Sequence, residues 1–408
     1  MSGIDKKQLF LWSLYDFANS ISMITFFLYY SQWLVVDKGI SDLWFNITLI
    51  GSSILFILTV PVVGSINDKL KVNMPGLRIT TLFAYLFYFL TGVVSAYFPN
   101  HYIWSIIFFT VGTYFYLFSF TFYTPLLNEI ASSERHGLAS GWGIFGDWFG
   151  QIIGLIIMLP LANYGRAQTF IPSVIIAFLL SLPMLIFFKE KSKRAHVRIL
   201  VKQEYKNVIK SFFELCALPG VGVFLLSYFF FNDAVSTASN NFPIYTSKLF
   251  GLGDNTTSYF LLIIVITSAI GSPVAGWLAD RYGFRRGVLW SIAGWLVLFP
   301  LMASATNLFY YGAICALVGL WFGSTLTITR AYLIRLVPPD RHNQAFTYYT
   351  LMERFATFVG PLSWSLVVIF VPTTHALNYR LAAIAMSIFV LIGLLIARKL
   401  PEPMVNNG

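Results

Sequence analysis

Long apolar runs separated by short polar segments make up most of this chain of 408 residues. A helix needs about 20 apolar residues to cross a bilayer, and runs close to that length recur along the whole sequence. We therefore predict an all-α membrane protein with twelve transmembrane helices, numbered 1 to 12 in chain order. The predicted spans are 9–36, 43–65, 77–97, 102–128, 137–161, 168–188, 217–250, 257–278, 286–304, 308–334, 343–371 and 376–397.

The polar residues that interrupt these runs follow an order that occurs twice. In each half an acid, an arginine and a histidine precede a predicted span that contains a second acid and then a glycine. The first set is Glu134, Arg135, His136, Asp147 and Gly154. The second set, displaced by 206 positions as from 134 to 340, is Asp340, Arg341, His342, Glu353 and Gly360. Another echo, displaced by 212 positions, relates 64–68 to 276–280. This order indicates an internal duplication, and we predict two pseudo-symmetric six-helix bundles, 1–188 and 217–408.

Residues 189–216, between the predicted bundles, are rich in Lys and Arg and carry apolar residues at helical spacing. A basic helix with one apolar face lies at the surface of an anionic membrane leaflet. We therefore predict an amphipathic linker helix that contacts lipid headgroups on the cytoplasmic side.

Composition supports a membrane protein and explains the net charge. Hydrophobic residues make up 57% of the chain and charged residues 11%, with a mean hydropathy of +0.72, whereas soluble domains carry about 25% charged residues. The net charge is +10, but most Lys and Arg fall in the N-terminal segment and in alternate loops. The opposite loops hold Lys38, Arg166, Lys248 and Arg380. The positive-inside rule then places both termini in the cytoplasm, and the charge is no reason to expect a nucleic-acid partner.

No sequence pattern indicates an enzyme, a cofactor or a metal site. Cys216 and Cys315 are the two cysteines and have no metal-ligand spacing. Residues 141–146 have the form GxGxxG, but they follow no strand and lie in a predicted span, so we reject a nucleotide site. HExxH, GxSxG and Walker sequences do not occur. We therefore expect no enzymatic activity, no metal and no cofactor.

Polar residues inside helices 1 and 7 are candidates for contact with a substrate or an ion. Asp16 and Asn19 share a face of helix 1, and a charge facing lipid at that depth costs about 3 kcal/mol or more. The strongest polar stripe, in helix 7, comprises Asp233, Ser236, Thr237, Asn240 and Asn241. Pro243 follows it, and we predict that the helix breaks there and lines a water-filled cavity. The alternative is that these groups only hold neighbouring helices together.

Two acids and two arginines also lie within predicted spans. Asp147 is about 15 Å from the start of helix 5 at a rise of about 1.5 Å per residue. Glu353 is equally deep in helix 11, near the middle of a hydrocarbon core about 30 Å thick. Because desolvation favours a protonated carboxyl group, both are candidates for proton coupling. Arg330 and Arg354 are candidates for balancing charge or binding a substrate carboxylate. The alternatives are structural ion pairs and an Arg330 side chain that extends to the membrane surface.

Charged residues near the cytoplasmic ends of the helices are candidates for gating contacts. The loop 276–286 reads Gly-Trp-Leu-Ala-Asp-Arg-Tyr-Gly-Phe-Arg-Arg and resembles the signature loop of the major facilitator superfamily. The corresponding loop from Gly64 has Asn67 and Lys69 in place of Ala and Arg and lacks the final Gly-x-Arg-Arg. The predicted gating residues, in these loops and at the ends of helices 4 and 10, are Asp68, Glu129, Asp280, Arg281, Arg285 and Arg335.

A closer resemblance begins at residues 14–20, which read Leu-Tyr-Asp-Phe-Ala-Asn-Ser. The matching stretches are 14–20, 123–154, 224–233 and 329–361. They resemble the autophagy-related vacuolar amino-acid effluxers and their prokaryotic relatives. The chain departs from that family at Ala234, where a glycine is usual, and at Thr329 and Ala331, where serine flanks the arginine. The resemblance implies two bundles that rock about a cavity lined by helices 1, 4, 7 and 10, and an amino acid or similar solute as substrate.

These observations predict a secondary active transporter that moves a small polar solute across a membrane by alternating access. A proton or another ion is the expected coupling partner. We expect a monomer in the cell membrane, or in the vacuolar membrane of a eukaryote. The alternative is a receptor or scaffold that retains the fold without transport, and measurable solute flux by purified protein separates the two.

Overall fold

The computed structural model describes residues 4–70, 72–130, 136–191, 201–338, 341–372 and 376–402. These residues are mostly helical, which confirms the predicted all-α class. Eleven helices in this described part are long and apolar enough to cross a membrane. Ten of them are helix 2 (Asp42–Leu70), helix 3 (Met74–Tyr97), helix 4 (Tyr102–Tyr123), helix 5 (His136–Ala162), helix 6 (Phe170–Phe187), helix 7 (Val221–Phe250), helix 8 (Asp254–Tyr282), helix 9 (Phe284–Ser304), helix 10 (Leu308–Leu336) and helix 12 (Leu377–Ala397).

Helix 1 is helical as predicted but falls outside that count of apolar helices. Its α-helical part spans Lys6–Thr25, and the Asp5 carboxylate caps the first turn. It continues as two π-helical segments, Phe26–Tyr30 and Trp33–Asp37. Helix 1 therefore combines a polar face with an irregular backbone. Single π-helical turns occur frequently at functional sites.

Helices 7 and 11 differ from the prediction at their prolines. Helix 7 runs unbroken from Val221 to Phe250 with Pro243 inside it, so the predicted break at Pro243 is wrong. Proline removes one backbone hydrogen bond, and the neighbouring groups in a membrane protein compensate for that loss. The break lies in helix 11, which is divided into helix 11a (His342–Phe355) and helix 11b (Val359–Phe370).

Pro361 explains where helix 11 breaks. In a continuous helix its ring would clash with the carbonyl group four residues earlier, at Thr357. The last turn of helix 11a is closed by Thr357, whose hydroxyl and N–H both donate to the carbonyl oxygen of Arg354, at 2.7 and 3.3 Å. The N–H groups in the first turn of helix 11b, including that of Gly360, therefore need partners outside the helix.

The chain divides into two compact units. Unit 1 comprises Met1–Ile40 and Ile47–Lys206. Unit 2 comprises Ser41–Asn46 and Asn207–Gly408. The start of helix 2 thus belongs to unit 2, where Asn46 donates to the Ser365 hydroxyl at 2.9 Å and Tyr379 donates to the Asp42 carboxylate at 2.9 Å.

The linker contains a helix that spans Val201–Cys216, while residues 192–200 lie outside the described part of the chain. Near its end, the Phe212 ring packs edge-on against Tyr348 of helix 11a, with 5.3 Å between the ring centroids. This contact anchors the end of the linker helix within unit 2.

Unit 1 packs helix 5 directly against the backbone of helix 1. A Cβ atom added at Gly150 would lie 2.3 Å from the carbonyl oxygen of Phe17, and one at Gly146 would lie 2.7 Å from that of Ser13. Side chains at these positions have no room. The glycines therefore set how closely helix 5 approaches helix 1, and with it the position of Asp147.

Candidate functional site

Two acids from different helices come together in unit 1. Asp147 of helix 5 accepts a hydrogen bond from the Ser20 hydroxyl of helix 1 through Oδ1, and one from Gln151 Nε2 through Oδ2 at 3.1 Å. The same Ser20 hydroxyl also lies 2.9 Å from the backbone carbonyl oxygen of Asp16, one turn earlier in helix 1, so the two acidic residues are neighbours. We call Asp16, Ser20, Asp147 and Gln151 the acid cluster. It brings together Asp16 and Asp147, which the sequence assigned to separate roles.

An aromatic pair fixes helix 1 against helix 4 beside the acid cluster. Trp12 and Tyr123 stack with 4.6 Å between ring centroids and an interplanar angle of 3°. Each also donates to the other's carbonyl oxygen, Trp12 at 3.2 Å and Tyr123 at 2.9 Å. Sequence reasoning missed this pair, because the chain is rich in aromatic residues and neither position stands out.

The Asn19 side chain forms hydrogen bonds within unit 1. Its side-chain amide donates to the carbonyl oxygen of Tyr15 at 3.0 Å, and its Oδ1 accepts from the Tyr85 hydroxyl at 2.9 Å. Only 3% of the residue is exposed. In this structure Asn19 therefore positions helix 1 against helix 3, and its predicted contact with a substrate stays a prediction.

Glu353 of helix 11a occupies the place in unit 2 that the repeat assigns to Asp147 in unit 1. The Tyr228 hydroxyl of helix 7 donates to Glu353 Oε1 at 2.7 Å, and the Tyr228 ring stacks on Tyr349 at 4.3 Å. The Arg330 guanidinium attracts both the Glu353 carboxylate and the Tyr349 oxygen. We call Tyr228, Arg330, Tyr349 and Glu353 the Glu353 cluster. Sequence reasoning placed Arg330 and Glu353 as candidates but missed both tyrosines.

Arg354 is next to Glu353 in sequence, but its observed contacts are made by its backbone at the end of helix 11a. Adjacent helical residues point about 100° apart, so its side chain leaves the helix in another direction. Its backbone carbonyl oxygen receives the two hydrogen bonds from Thr357 that end helix 11a. A role of its side chain in binding a carboxylate remains a prediction.

The polar stripe of helix 7 divides between two environments. Ser236 and Asn240 are half-buried, whereas Asp233 and Thr237 are fully buried at 0% exposure. Asp233 Oδ2 accepts a hydrogen bond of 2.7 Å from the N–H of Gly360, in the first turn of helix 11b. The broken helix that lines this part of unit 2 is thus helix 11, and Asp233 of helix 7 meets its second half.

The predicted gating residues of unit 2 form exposed ion pairs and ring contacts. Asp280 and Arg335 are 3.8 Å apart, and the Arg335 guanidinium lies 3.5 Å from the centroid of the Phe284 ring. Arg281 lies over the Trp277 ring at 5.7 Å. In unit 1, Glu129 accepts from the backbone N–H of Lys191 at 3.1 Å. The side chain of Asp68, and residues Glu134 and Asp340, lie outside the described part of the chain.

A carboxylate at the end of each half receives donors from the start of a neighbouring helix. Glu190 accepts from the backbone N–H groups of Asn73 and Met74, at 2.6 and 2.9 Å, at the N-terminus of helix 3. In unit 2, Glu402 pairs with the Arg285 side chain at 3.6 Å. Both pairs are displaced by 212 positions, as from 190 to 402 and from 73 to 285. Sequence reasoning missed both glutamates, because Glu190 lies among the many charges of the linker.

Among the described residues, no three His, Cys, Asp or Glu side chains come together as metal ligands. The clusters are instead built from carboxylates, hydroxyls and an arginine. Such groups bind protons and small polar or charged solutes through hydrogen bonds and charge.

Comparison with known proteins gives consistent similarities over the whole chain. A family model described as Major Facilitator Superfamily matches residues 13–267 and 224–407. The uncharacterized MFS-type transporter YxiO of Bacillus subtilis (strain 168) is 26% identical, covering 97% of this chain and 95% of that protein. A bacterial homolog of the human lysosomal transporter Spinster, solved in an inward-facing, unoccupied conformation, aligns over all of both chains with a TM-score of 0.76 and 11% identity. A D-xylose–proton symporter aligns over 97% of this chain and 98% of its own, with a TM-score of 0.74 and 14% identity.

Proposed function

This chain belongs to the Major Facilitator Superfamily and is a multi-pass membrane transporter, and we propose that it moves a small polar solute by proton-coupled secondary transport. Alternating access is the proposed mode of movement. The observation that carries the proposal is the acid cluster, in which Ser20 joins Asp16 of helix 1 to Asp147 of helix 5. Like charges held together favour binding of a cation or of a proton, which removes one of the two charges.

We assign proton coupling to Asp147 and Glu353. Each acid accepts a hydroxyl hydrogen bond from a different helix, from Ser20 in unit 1 and from Tyr228 in unit 2. A hydroxyl group can donate to a carboxylate and can accept from a carboxylic acid. Each acid therefore keeps a hydrogen-bonding partner in both protonation states, which suits a group that gains and loses a proton in every cycle.

An amino acid or a related metabolite is the proposed substrate class. The acid cluster of unit 1 offers carboxylates that suit the ammonium group of such a solute. The resemblance of residues 14–20 to the amino-acid effluxers supports the same class. Asp16, Ser236, Asn240 and Arg330 are the proposed contacts, because their side chains are exposed or half-buried.

Flux measurements in proteoliposomes test the coupling assignment. We expect Asp147→Asn and Glu353→Gln to lose pH-gradient-driven accumulation while retaining solute exchange without a gradient. Glu214→Gln, which removes an exposed acid of the linker helix, is the matched control and should retain accumulation. Full gradient-driven accumulation by both Asp147→Asn and Glu353→Gln would show that the assignment is wrong.

A thermal-shift screen of the purified protein tests the substrate class. The probes are amino acids, peptides, sugars and organic anions. We expect an amino acid to raise the unfolding temperature and to be transported in proteoliposomes. Stabilisation by sugars alone would contradict the proposed class, and an absence of flux for every stabilising solute would favour a receptor that retains the fold.

We further propose that the protein is a monomer in the cell membrane with both termini in the cytoplasm. The distribution of Lys and Arg supports this orientation. Protease protection of a C-terminal tag in sealed right-side-out vesicles tests it, and cleavage of the tag in intact vesicles would contradict it.

A further inference from the structure

Helix 11 breaks where it passes the polar stripe of helix 7, and the second half meets a buried acid. The N–H of Gly360 donates to Asp233 Oδ2 at 2.7 Å. Helix 11b has 12 residues, so its N-terminus carries a partial positive charge that favours a nearby anion. One oxygen of the Asp233 carboxyl group is thereby accounted for.

Two other oxygens at this place have no hydrogen-bonding partner among the described residues. They are Asp233 Oδ1 and Thr237 Oγ1, and both residues are 0% exposed. A Cβ atom added at Gly360 would lie 2.7 Å from Asp233 Oδ1 and 2.3 Å from Thr237 Oγ1. The two oxygens therefore border the same small space beside Gly360. A buried polar oxygen without a partner is costly, and the cost is greatest when the group carries a charge.

The space beside Gly360 and the number of oxygens there limit which chemical species could bind to this pair. A methyl group at Gly360 would overlap both oxygens, so no organic group fits between Gly360 and this pair. Hard metal cations such as Ca²⁺ take about six to eight oxygen ligands, and two orphan oxygens fall well short. A proton needs one oxygen to bind and one to accept its hydrogen bond. Asp233 Oδ1 and Thr237 Oγ1 supply these two groups.

Charged groups on the helices packed around Asp233 have other partners. Glu353 of helix 11a is bonded to Tyr228 and attracts Arg330 of helix 10. Arg380 of helix 12 donates to the carbonyl oxygen of Ala303. Among the described residues, no salt bridge includes Asp233. An ionised Asp233 would therefore rely on the N-terminus of helix 11b alone.

We propose that Asp233 is a further proton-binding site, distinct from Asp147 and Glu353, and that the break in helix 11 responds to its protonation. A proton from solvent binds Oδ1 and converts the carboxylate to a neutral acid that donates to Thr237, and it returns to solvent when the acid ionises. The ionised carboxylate holds the Gly360 N–H through a charge-assisted bond, which weakens on protonation. Protonation thus loosens the hold of helix 7 on helix 11b. The role of this step in transport rests on the proposed function, but proton binding itself does not.

Infrared absorption of the purified full-length protein, without added solute, tests the site directly. A protonated carboxyl group absorbs at a frequency separate from that of a carboxylate and shifts in heavy water. We expect the wild type to show such a band that disappears as pH rises. The band should be absent from Asp233→Asn and present in Asp147→Asn and in Glu353→Gln. A spectrum of Asp233→Asn that keeps every protonated-carboxyl band of the wild type would overturn the proposal.

Thr237 provides a second test in case Asp233→Asn fails to fold. Thr237→Val keeps the shape of the side chain but removes the hydroxyl group, and Thr237→Ser keeps the hydroxyl. We expect Thr237→Val to move the midpoint of the Asp233 band by about one pH unit, which corresponds to about one hydrogen bond. Thr237→Ser should leave the midpoint in place. Equal midpoints in all three proteins would overturn the role of Thr237. A titrating band in a protein without flux would instead count against the proposed function alone.

Discussion

Gly150→Ala tests whether the contact between helices 1 and 5 fixes unit 1. The new Cβ atom would lie 2.3 Å from the carbonyl oxygen of Phe17 and 3.0 Å from its carbonyl carbon and Cα. These are backbone atoms, so no side-chain rotation relieves the overlap. Ordinary contact begins at 3.4 Å, so the two helices must separate by about 1.1 Å at a point where interiors are close-packed.

The size of the effect follows from two opposing contributions. Overpacking of a well-packed interior costs about 1–3 kcal/mol, and a contact with backbone atoms belongs at the upper end of that range. Replacing Gly by Ala within a helix returns about 1 kcal/mol. We therefore expect Gly150→Ala to lower the free energy of unfolding by about 2 kcal/mol.

Gly276→Ala is the matched control, because it makes the same chemical change in helix 8 without the overlap. Its Cβ atom would contact only the Thr327 methyl group, at 3.9 Å, so this variant should be more stable than the wild type by about 1 kcal/mol. Reversible unfolding of the purified proteins in a denaturing detergent, followed by tryptophan fluorescence, measures both changes. A Gly150→Ala protein as stable as Gly276→Ala would refute the close approach of helix 5 to helix 1.

Three further substitutions test other contacts. Glu190→Ala removes the carboxylate at the N-terminus of helix 3 and should lower the free energy of unfolding by about 1–2 kcal/mol, and an unchanged unfolding curve would contradict this capping role. Tyr228→Phe removes the donor to Glu353 and should cost about 1–3 kcal/mol; a neutral result would show that another group replaces the hydroxyl. Asp280→Asn breaks an exposed ion pair with Arg335 that is worth about 0–1 kcal/mol, so stability should hardly change, and a large loss in thermal unfolding would contradict this estimate.

The all-α class and the repeat could be predicted because both depend on strong, regular patterns. Apolar runs of membrane length, and the correspondence of Asp147 to Glu353 between the two repeats, can be recognised without knowing any contact. The position of the helix break could not be predicted in the same way. Pro243 and Pro361 obey the same local rule, yet only helix 11 breaks at its proline. The difference is tertiary, since Asp233 supplies a partner for the N–H of Gly360 that the break exposes.

The candidate site was predictable in its charged members and not in their partners. Asp16, Asp147 and Glu353 stand out because charges are rare in apolar spans. Tyr228 does not stand out among 22 tyrosines, although its hydroxyl group bonds Glu353. Thr237 was identified from helical spacing, but its missing partner became evident only when the space beside Gly360 was known.

Glu190 and Glu402 occupy equivalent places in the two halves, but the contacts they make should differ in how well they tolerate mutation. Glu190 binds the Asn73 side-chain amide and two backbone N–H groups at the start of helix 3. Every residue except proline supplies the two backbone donors at positions 73 and 74, so most of this contact survives a change of side chain. Glu402 depends on the side chain of Arg285, which only a long basic residue can replace. Substitutions should therefore be tolerated more often at position 73 than at position 285. Saturation mutagenesis of both positions tests this, and we expect more folded variants at position 73 although the two contacts occupy equivalent places in the repeat.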